Sequence, residues 1–106
     1  MILVIKKITD YASVIRSKNS GPYELTLDIM FKDKTSYELW KKRNALTAGR
    51  IAALYGVAKS TVLKTVWFEP ANAFKCTIKR PIPSGNFGEH DIYGAQQHAP
   101  LLNLTL

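Results

Sequence analysis

Cysteine is nearly absent from the sequence, and this excludes an internal disulfide framework. The 106 residues include one cysteine, Cys76, and two histidines. The neighbours of Cys76 alternate between apolar and polar as in a strand, which predicts a small buried side chain and not a reactive thiol. No set of histidine, cysteine and acidic residues has a recognised ligand spacing, so we predict no metal site. A chain without disulfides is typical of reducing compartments, and we expect the cytoplasm.

Long apolar runs are also absent. The longest ones fall far short of the roughly 20 residues that span a bilayer, so we expect no transmembrane helix and no membrane partner. The apolar start at Met1 has no charged region before it and no cleavage site of small residues after it, which argues against a signal peptide. Hydrophobic residues nevertheless make up 46% of the chain. Length and composition together predict a single domain, residues 1–106, with one buried core.

Acidic residues are the scarcer of the two charges. The chain has 15 Lys and Arg residues against 8 Asp and Glu residues, a net charge of +7. A basic chain suits nucleic acid, an acidic small molecule or an acidic partner subunit. The basic residues are scattered, however, and the densest cluster, Lys41-Lys42-Arg43, lies at the predicted end of a helix, where cations favour the helix dipole. Because no basic stripe interleaved with aromatic residues is present, nucleic acid is the weakest of these three interpretations.

Alternating apolar and polar residues predict most of the strands. The clearest is a strand over residues 23–31, with its odd-numbered side chains buried and its even-numbered ones outward. Residues 10–16 have no clear period and are predicted to be irregular or a short turn of helix. The other predicted strands are residues 2–8, residues 62–68 and 73–79, which form a hairpin, and residues 101–106.

Two helices are predicted between the second and third strands. The first covers residues 33–43, where Thr35 and Glu38 have the spacing of a capping box. The second covers residues 47–55, and Gly56 is placed to end it in the left-handed conformation. Strands that outnumber two consecutive helices predict an α+β two-layer sandwich, with a mostly antiparallel sheet and both helices on one face.

The same spacing predicts which side chains form the core. On the last strand of the hairpin, Phe74, Cys76 and Ile78 face inward. On the strand before it, Val62, Val66 and Phe68 are predicted to share one face. The aromatic residues predicted to lie in the core are Tyr37, Trp40, Trp67, Phe68 and Phe74.

Residues 16–22 form the first of two polar segments that could carry chemistry. Arg16 offers a planar fork of donors and Lys18 a point charge. Asn19 and Gly21 tolerate the backbone angles of a turn in which successive amides form an anion-binding nest. We therefore predict that these four residues bind an acidic group such as a carboxylate or a phosphate. The alternative is a solvated basic turn before a strand.

Residues 94–100 form the second polar segment. Gln96 and Gln97 are predicted to bind substrate, and His98 is a candidate general acid–base because its charge changes near neutral pH. The alternative is a histidine that is hydrogen-bonded to a loop backbone. The segment ends a long predicted loop, residues 81–99, of the kind that is usually functional or mobile in a small domain.

Several runs of the sequence resemble those of a small bacterial family of unknown function. They are YASVIRSKNSGP at residues 11–22, ELTLDI at 24–29, RPIPSG at 80–85 and DIYGAQQHAPLL at 91–102. Proteins of this type are commonly encoded beside, or fused to, large AtuA-like proteins, which are named for acyclic terpene utilisation. The C-terminal domain of those large proteins is described as ferredoxin-fold, and the chain looks like a relative of it.

The resemblance implies a ferredoxin-like variant of the two-layer sandwich. It also implies an accessory domain or small subunit of a hetero-oligomeric metabolic enzyme, which handles acidic or acyl-type small molecules together with an AtuA-like large partner. It identifies no catalytic residue and no cofactor. The chain departs from the family in its helical middle, where Trp40-Lys41-Lys42-Arg43 is more basic than the family pattern.

Other functions remain open at this point. The chain could be a stand-alone isomerase or lyase in which self-association places a site with His98 at the subunit boundary. It could also be a basic nucleic-acid-binding module, an interpretation that rests on net charge alone. A purely structural alternative is that the two polar segments stabilise an oligomer. The sequence does not decide whether the chain is an enzyme.

Overall fold

The computed structural model describes residues 6–21, 23–79 and 99–106, and this part of the chain contains four strands and two α helices. Along the chain, two strands are followed by two helices and then by two more strands. In order they are β1 (Ala12–Asn19), β2 (Glu24–Phe31), α1 (Lys34–Lys42), α2 (Ala48–Tyr55), β3 (Val62–Phe68) and β4 (Ala73–Lys79).

The four strands form one antiparallel sheet in the order β1-β2-β4-β3. The strands β1 and β2 form one hairpin, β3 and β4 form another, and β2 pairs with β4 at the centre. The predicted α+β two-layer sandwich is confirmed. Both helices lie between β2 and β3 in the chain. In a ferredoxin-like βαββαβ chain the two helices are separated by strands, so the order of elements here differs from the ferredoxin-like one.

The core lies between the sheet and the two helices. The rings of Phe31, Tyr37, Trp40, Trp67 and Phe74 pack in one cluster, with neighbouring ring centroids 5.0–6.2 Å apart. Tilted and edge-to-face arrangements dominate, as aromatic rings prefer. The aliphatic residues buried around the cluster include Ile8, Leu25, Leu27, Ile29, Ile51, Ile78, Leu101 and Leu104.

The strand β1 corrects the prediction for residues 10–16. Ala12–Asn19 is a strand and not irregular structure. Ile15 and Ser17 face the core, opposite Ile29 and Leu27 of β2. The alternation was hidden because the buried position at Ser17 carries a small polar side chain. Pairing with the strongly alternating β2 therefore decides the conformation of a segment whose own pattern is weak.

The two terminal segments differ from the predicted strands. Ile8–Asp10 and Ala99–Asn103 are short 3₁₀ helices, and Lys7 and Thr105 form an isolated antiparallel bridge. The run at residues 101–106 looks apolar enough for a strand, but Leu101 and Leu104 lie three residues apart and are both buried. A 3₁₀ turn places residues with that spacing on one side. Residues 1–5 of the predicted first strand lie outside the described residues.

The caps of the helices are partly as predicted. Asp33, not Thr35, caps α1, because its Oδ1 accepts a 2.7 Å hydrogen bond from the amide of Ser36. Glu38 instead pairs with Lys34, at 3.9 Å, so the predicted capping box is wrong. The helix α2 confirms its prediction: it begins after Thr47 and ends at Gly56, which has φ of 65°.

Among the described residues, no helix has the length and hydrophobicity needed to span a membrane.

The alternation of side chains between the two faces of β3 is interrupted near its start. The register with β4 shifts between Val62 and Lys64, so that Val62 packs towards the core with Trp67. Val66 and Phe68 lie on the opposite face, and Phe68 is 42% exposed. The predictions that Val62 shares a face with Val66 and Phe68, and that Phe68 is a core residue, are therefore wrong. One extra residue in a strand reverses the alternation, and the sequence pattern does not reveal it.

Candidate functional site

The sheet presents its second face on the side away from α1 and α2. On β2, the odd-numbered side chains from Leu25 to Phe31 are buried under the helices, and the even-numbered ones from Glu24 to Met30 point the other way. We call this second side the open face, because no described helix packs on it. On the other strands it is formed by Val14, Arg16 and Lys18 of β1, Lys75, Thr77 and Lys79 of β4, and Lys64, Val66 and Phe68 of β3.

The open face is basic. Strand register places Arg16, Asp28, Lys75 and Val66 in one row across the sheet, since each is the partner of the next. The neighbouring row runs from Lys18 through two threonines to Lys64. The cations of this face are Arg16, Lys18, Lys64, Lys75 and Lys79, and its carboxylates are Glu24 and Asp28.

Asp28 lies at the centre of this face and is fully buried. Its Oδ2 accepts a 3.1 Å hydrogen bond from Nε of Arg16, and its Oδ1 is 3.8 Å from Nζ of Lys75. The side chains of Arg16 and Lys75 are 49% and 38% exposed, whereas that of Asp28 is 0% exposed. A buried carboxylate is costly unless cations and hydrogen bonds compensate it. The two flanking cations therefore explain how Asp28 is tolerated.

The compensation of Asp28 is incomplete. No hydrogen-bond partner of Oδ1 is found in the described part of the chain, because Lys75 is too distant for a hydrogen bond. Two cations flank one carboxylate, so Arg16, Asp28 and Lys75 together carry a net positive charge. The arrangement can attract an anion, and it also holds an acceptor oxygen ready for a donor.

Sequence reasoning missed Asp28 as a site residue. Its position in the alternation indicated an outward side chain, which is correct for its face but not for its burial. One signal was available: a carboxylate in the middle of a strand between Leu27 and Ile29, where acidic residues are disfavoured. Lys75 gave no such signal, because only the pairing of β2 with β4 brings it to Asp28.

The predicted binding residues of the first polar segment are divided by the structure. Arg16 and Lys18 lie on the open face, both on β1 and not in a turn. Asn19 is paired with Leu25 and belongs to the other side of the sheet. Gly21 lies in the connection to β2 with φ of 141°, a conformation that favours glycine. The segment is therefore mostly strand, and the predicted turn is shorter than residues 16–22.

Most of the second polar segment, and most of the predicted loop before it, lies outside the described residues. Gln96, Gln97 and His98 lie outside the described residues, as do residues 80–95. The binding role of the two glutamines and the acid–base role of His98 therefore stay predictions. So does their proximity to Arg16 and Lys18.

Cys76 is a buried core residue, as predicted. It lies on the helix side of β4 with 2% exposure. Burial raises the pKa of its thiol to about 12, so the thiol is protonated at neutral pH and is a poor nucleophile. Within residues 6–21, 23–79 and 99–106, no three histidine, cysteine or acidic residues cluster in a way that could hold a metal ion.

Sequence comparison places the chain in a family. The family model described as "Domain of unknown function (DUF4387)" matches residues 8–105. The chain belongs to this family. The match includes all four strands and both helices of the DUF4387 chain, and therefore the whole row from Arg16 to Val66. No curated protein and no solved structure matches the chain significantly.

Proposed function

We propose that the chain is a small subunit or accessory domain of a hetero-oligomeric metabolic enzyme that handles acidic or acyl-type small molecules. The observation that carries the proposal is the open face with Arg16, Asp28 and Lys75 at its centre. The two described helices cover the other face of the sheet, so this face is the one on which a partner or a small molecule could be bound. The partner proposed from the family resemblance is an AtuA-like large protein.

The composition of the open face supports a subunit that binds a partner. Phe68 and Val14 are 42% and 39% exposed at its two edges, on β3 and β1. Apolar side chains beside cations are typical of an interface that has both a hydrophobic and an electrostatic component. The partner surface is therefore expected to be acidic, and the encounter is expected to be faster at low salt.

The centre of the open face supports an acidic small molecule. Arg16 on β1 and Lys75 on β4 converge on Asp28 from the two strands that flank β2. Cations that are held in place by the scaffold lose less entropy on binding an anion than cations on mobile loops. In the complex, the partner would cover this position and exclude water from the bound molecule.

Co-expression with the large partner tests the subunit assignment. We expect one complex in size-exclusion chromatography at micromolar concentration. The double variant Lys64→Glu/Lys79→Glu, which reverses two exposed charges of the open face, should weaken the complex at least about tenfold. The matched variant Lys42→Glu/Lys59→Glu, which reverses two exposed charges elsewhere, should leave it intact.

Two outcomes would contradict the subunit assignment. One is separate elution of the two proteins at micromolar concentration. The other is binding of the isolated chain to DNA or RNA with an affinity that falls steeply with salt, which would support the nucleic-acid alternative. Turnover by the chain alone that is lost in His98→Ala would instead support the isomerase or lyase alternative.

A further inference from the structure

The row Arg16–Asp28–Lys75 is built more like a ligand site than like an ordinary surface ion pair. Asp28 is held in place by the Nε–Oδ2 hydrogen bond from Arg16 and is closed off from solvent. Its three members come from three adjacent strands, which gives them a fixed spacing. Surface ion pairs rarely include a carboxylate with no exposure at all.

The free acceptor of this row indicates a donor in the ligand. Oδ1 of Asp28 has no hydrogen-bond partner among the described residues. A buried acceptor without a partner is unfavourable, and a hydroxyl or ammonium group of a ligand would satisfy it. Nζ of Lys75 lies 3.8 Å from Oδ1 and the Lys75 side chain is 38% exposed, so a ligand that contacts this ammonium group is also within reach of the oxygen.

The charges of the row indicate the rest of the ligand. Arg16 bonds Asp28 through Nε, and its side chain, which ends in two Nη groups, is 49% exposed. These groups and Nζ of Lys75 are donors that suit a carboxylate. An ammonium group at the same place would be repelled by both cations. The donor that satisfies Oδ1 is therefore a neutral hydroxyl.

We propose that Arg16, Asp28 and Lys75 bind a small 2-hydroxy acid, with its carboxylate on Arg16 and Lys75 and its hydroxyl donating to Oδ1 of Asp28. We choose the 2-hydroxy arrangement because Nζ of Lys75 and Oδ1 of Asp28 are only 3.8 Å apart, a short separation that suits a carboxylate and a hydroxyl on neighbouring carbons. This inference rests on the proposed handling of acidic small molecules and names their class. Asp28 and Lys75 are added to Arg16 as binding residues.

Calorimetric titration of the full chain with matched acids tests the site. Lactate should bind at least about tenfold more tightly than propanoate, which has the carboxylate without the hydroxyl. Alanine, which replaces the hydroxyl by an ammonium group, should bind no better than propanoate. Equal binding of lactate and propanoate, or no binding of lactate at 20-fold excess over about 1 mM protein, would overturn the proposal.

Two variants locate the binding. Lys75→Gln should weaken both lactate and propanoate about tenfold, since it removes a charge that both use. Lys79→Gln, four residues further along β4 and on the same face, should change neither. Asp28→Leu should bring the ratio of lactate to propanoate affinity close to one. If Asp28→Leu does not fold, the pair of lysine variants still decides, because equal effects of Lys75→Gln and Lys79→Gln would exclude the assigned row.

The binding test for the 2-hydroxy acid and the co-expression test for the subunit can fail independently of each other. A chain that forms the complex but does not distinguish lactate from propanoate keeps the proposed subunit role and loses the 2-hydroxy acid. A chain that binds lactate through Lys75 but elutes apart from the large protein keeps the site and loses the partner.

Discussion

Asp28 is a charged side chain that is also fully buried, a combination that is usually unfavourable. It belongs to the open face, yet it has no solvent exposure. Arg16 and Lys75 make this possible, because they bring opposite charge to both sides of the carboxylate. If the carboxylate is replaced by an apolar side chain, the two cations are not left buried without a partner, because they are 49% and 38% exposed to solvent. We therefore expect its importance to appear in binding more than in folding.

Cys76 provides a pH-dependent prediction at the same scale. Burial raises the pKa of its thiol from 9.0 to about 12 in the folded chain, so the unfolded chain loses this proton first as pH rises. The free energy of unfolding should therefore fall as pH increases from about 9 towards 12, with the full contribution present below 9. Urea unfolding at pH 8, 9, 10 and 11 measures this slope.

The control for this prediction is Cys76→Ala, which should unfold at lower urea concentration throughout but with a shallower slope against pH. Burial, and to a smaller extent Cys76, raises the pKa of Tyr55. Tyr55 therefore contributes a slope of the same sign, and the variant retains the part that burial causes. Alkylation gives an independent measurement: iodoacetamide at pH 8 should label Cys76 in urea and not in the folded chain. Rapid labelling of the folded chain would show that the thiol is accessible.

At the scale of elements, strong patterns were predictable and weak ones were not. The strand β2, the helix α2 and the buried residues of β4 follow from alternation and caps in the sequence itself. The strand β1 and the two faces of β3 do not, because a neighbouring strand and an irregular register decide them. Three of the six predicted binding residues lie on β1. Because side chains alternate along a strand, Arg16 and Asn19, three positions apart, are on opposite sides of the sheet.

The cap of α1 gives a prediction that separates the two possible capping residues. Asp33→Ala should lower the urea midpoint, because it removes the acceptor of the Ser36 amide. Thr35→Ala should leave the midpoint nearly unchanged. The same hydrogen bond lowers the pKa of Asp33, so its contribution should be present above pH 3.8 and disappear as pH falls through its lowered pKa. A larger effect of Thr35→Ala than of Asp33→Ala would restore the capping box.

At the scale of the whole molecule, the two terminal segments meet and are held by α2. The amide of Ile8 donates to the carbonyl of Leu104 at 2.9 Å, and that of Leu106 donates to Lys6 at 2.8 Å. Arg50 of α2 donates to the carbonyl of Ala45 at 2.9 Å and to that of Thr105. One side chain therefore connects a helix to the end of the matched family region.

Removal of this connection should destabilise the molecule and loosen its end. Arg50→Met keeps an unbranched side chain that can pack where the arginine stem lies but loses both donors, and we expect a loss of about 2 kcal/mol in the free energy of unfolding. Hydrogen exchange at the amides of Ile8 and Leu106 should become faster than elsewhere in the chain. Arg43→Met, an exposed arginine at the end of α1, is the matched control and should change exchange at neither amide.

The sequence by itself determined the α+β sandwich, the burial of Cys76 and the basic character of the chain. These depend on local periodicity and composition, which every segment carries within itself. Only the tertiary structure decided that Arg16 meets Asp28 and Lys75, that Asn19 faces the other way, and that a carboxylate could be buried on an open face. Those outcomes depend on strand order and register, because residues 12 and 47 positions from Asp28 in the chain become its neighbours only when β2 pairs with both β1 and β4.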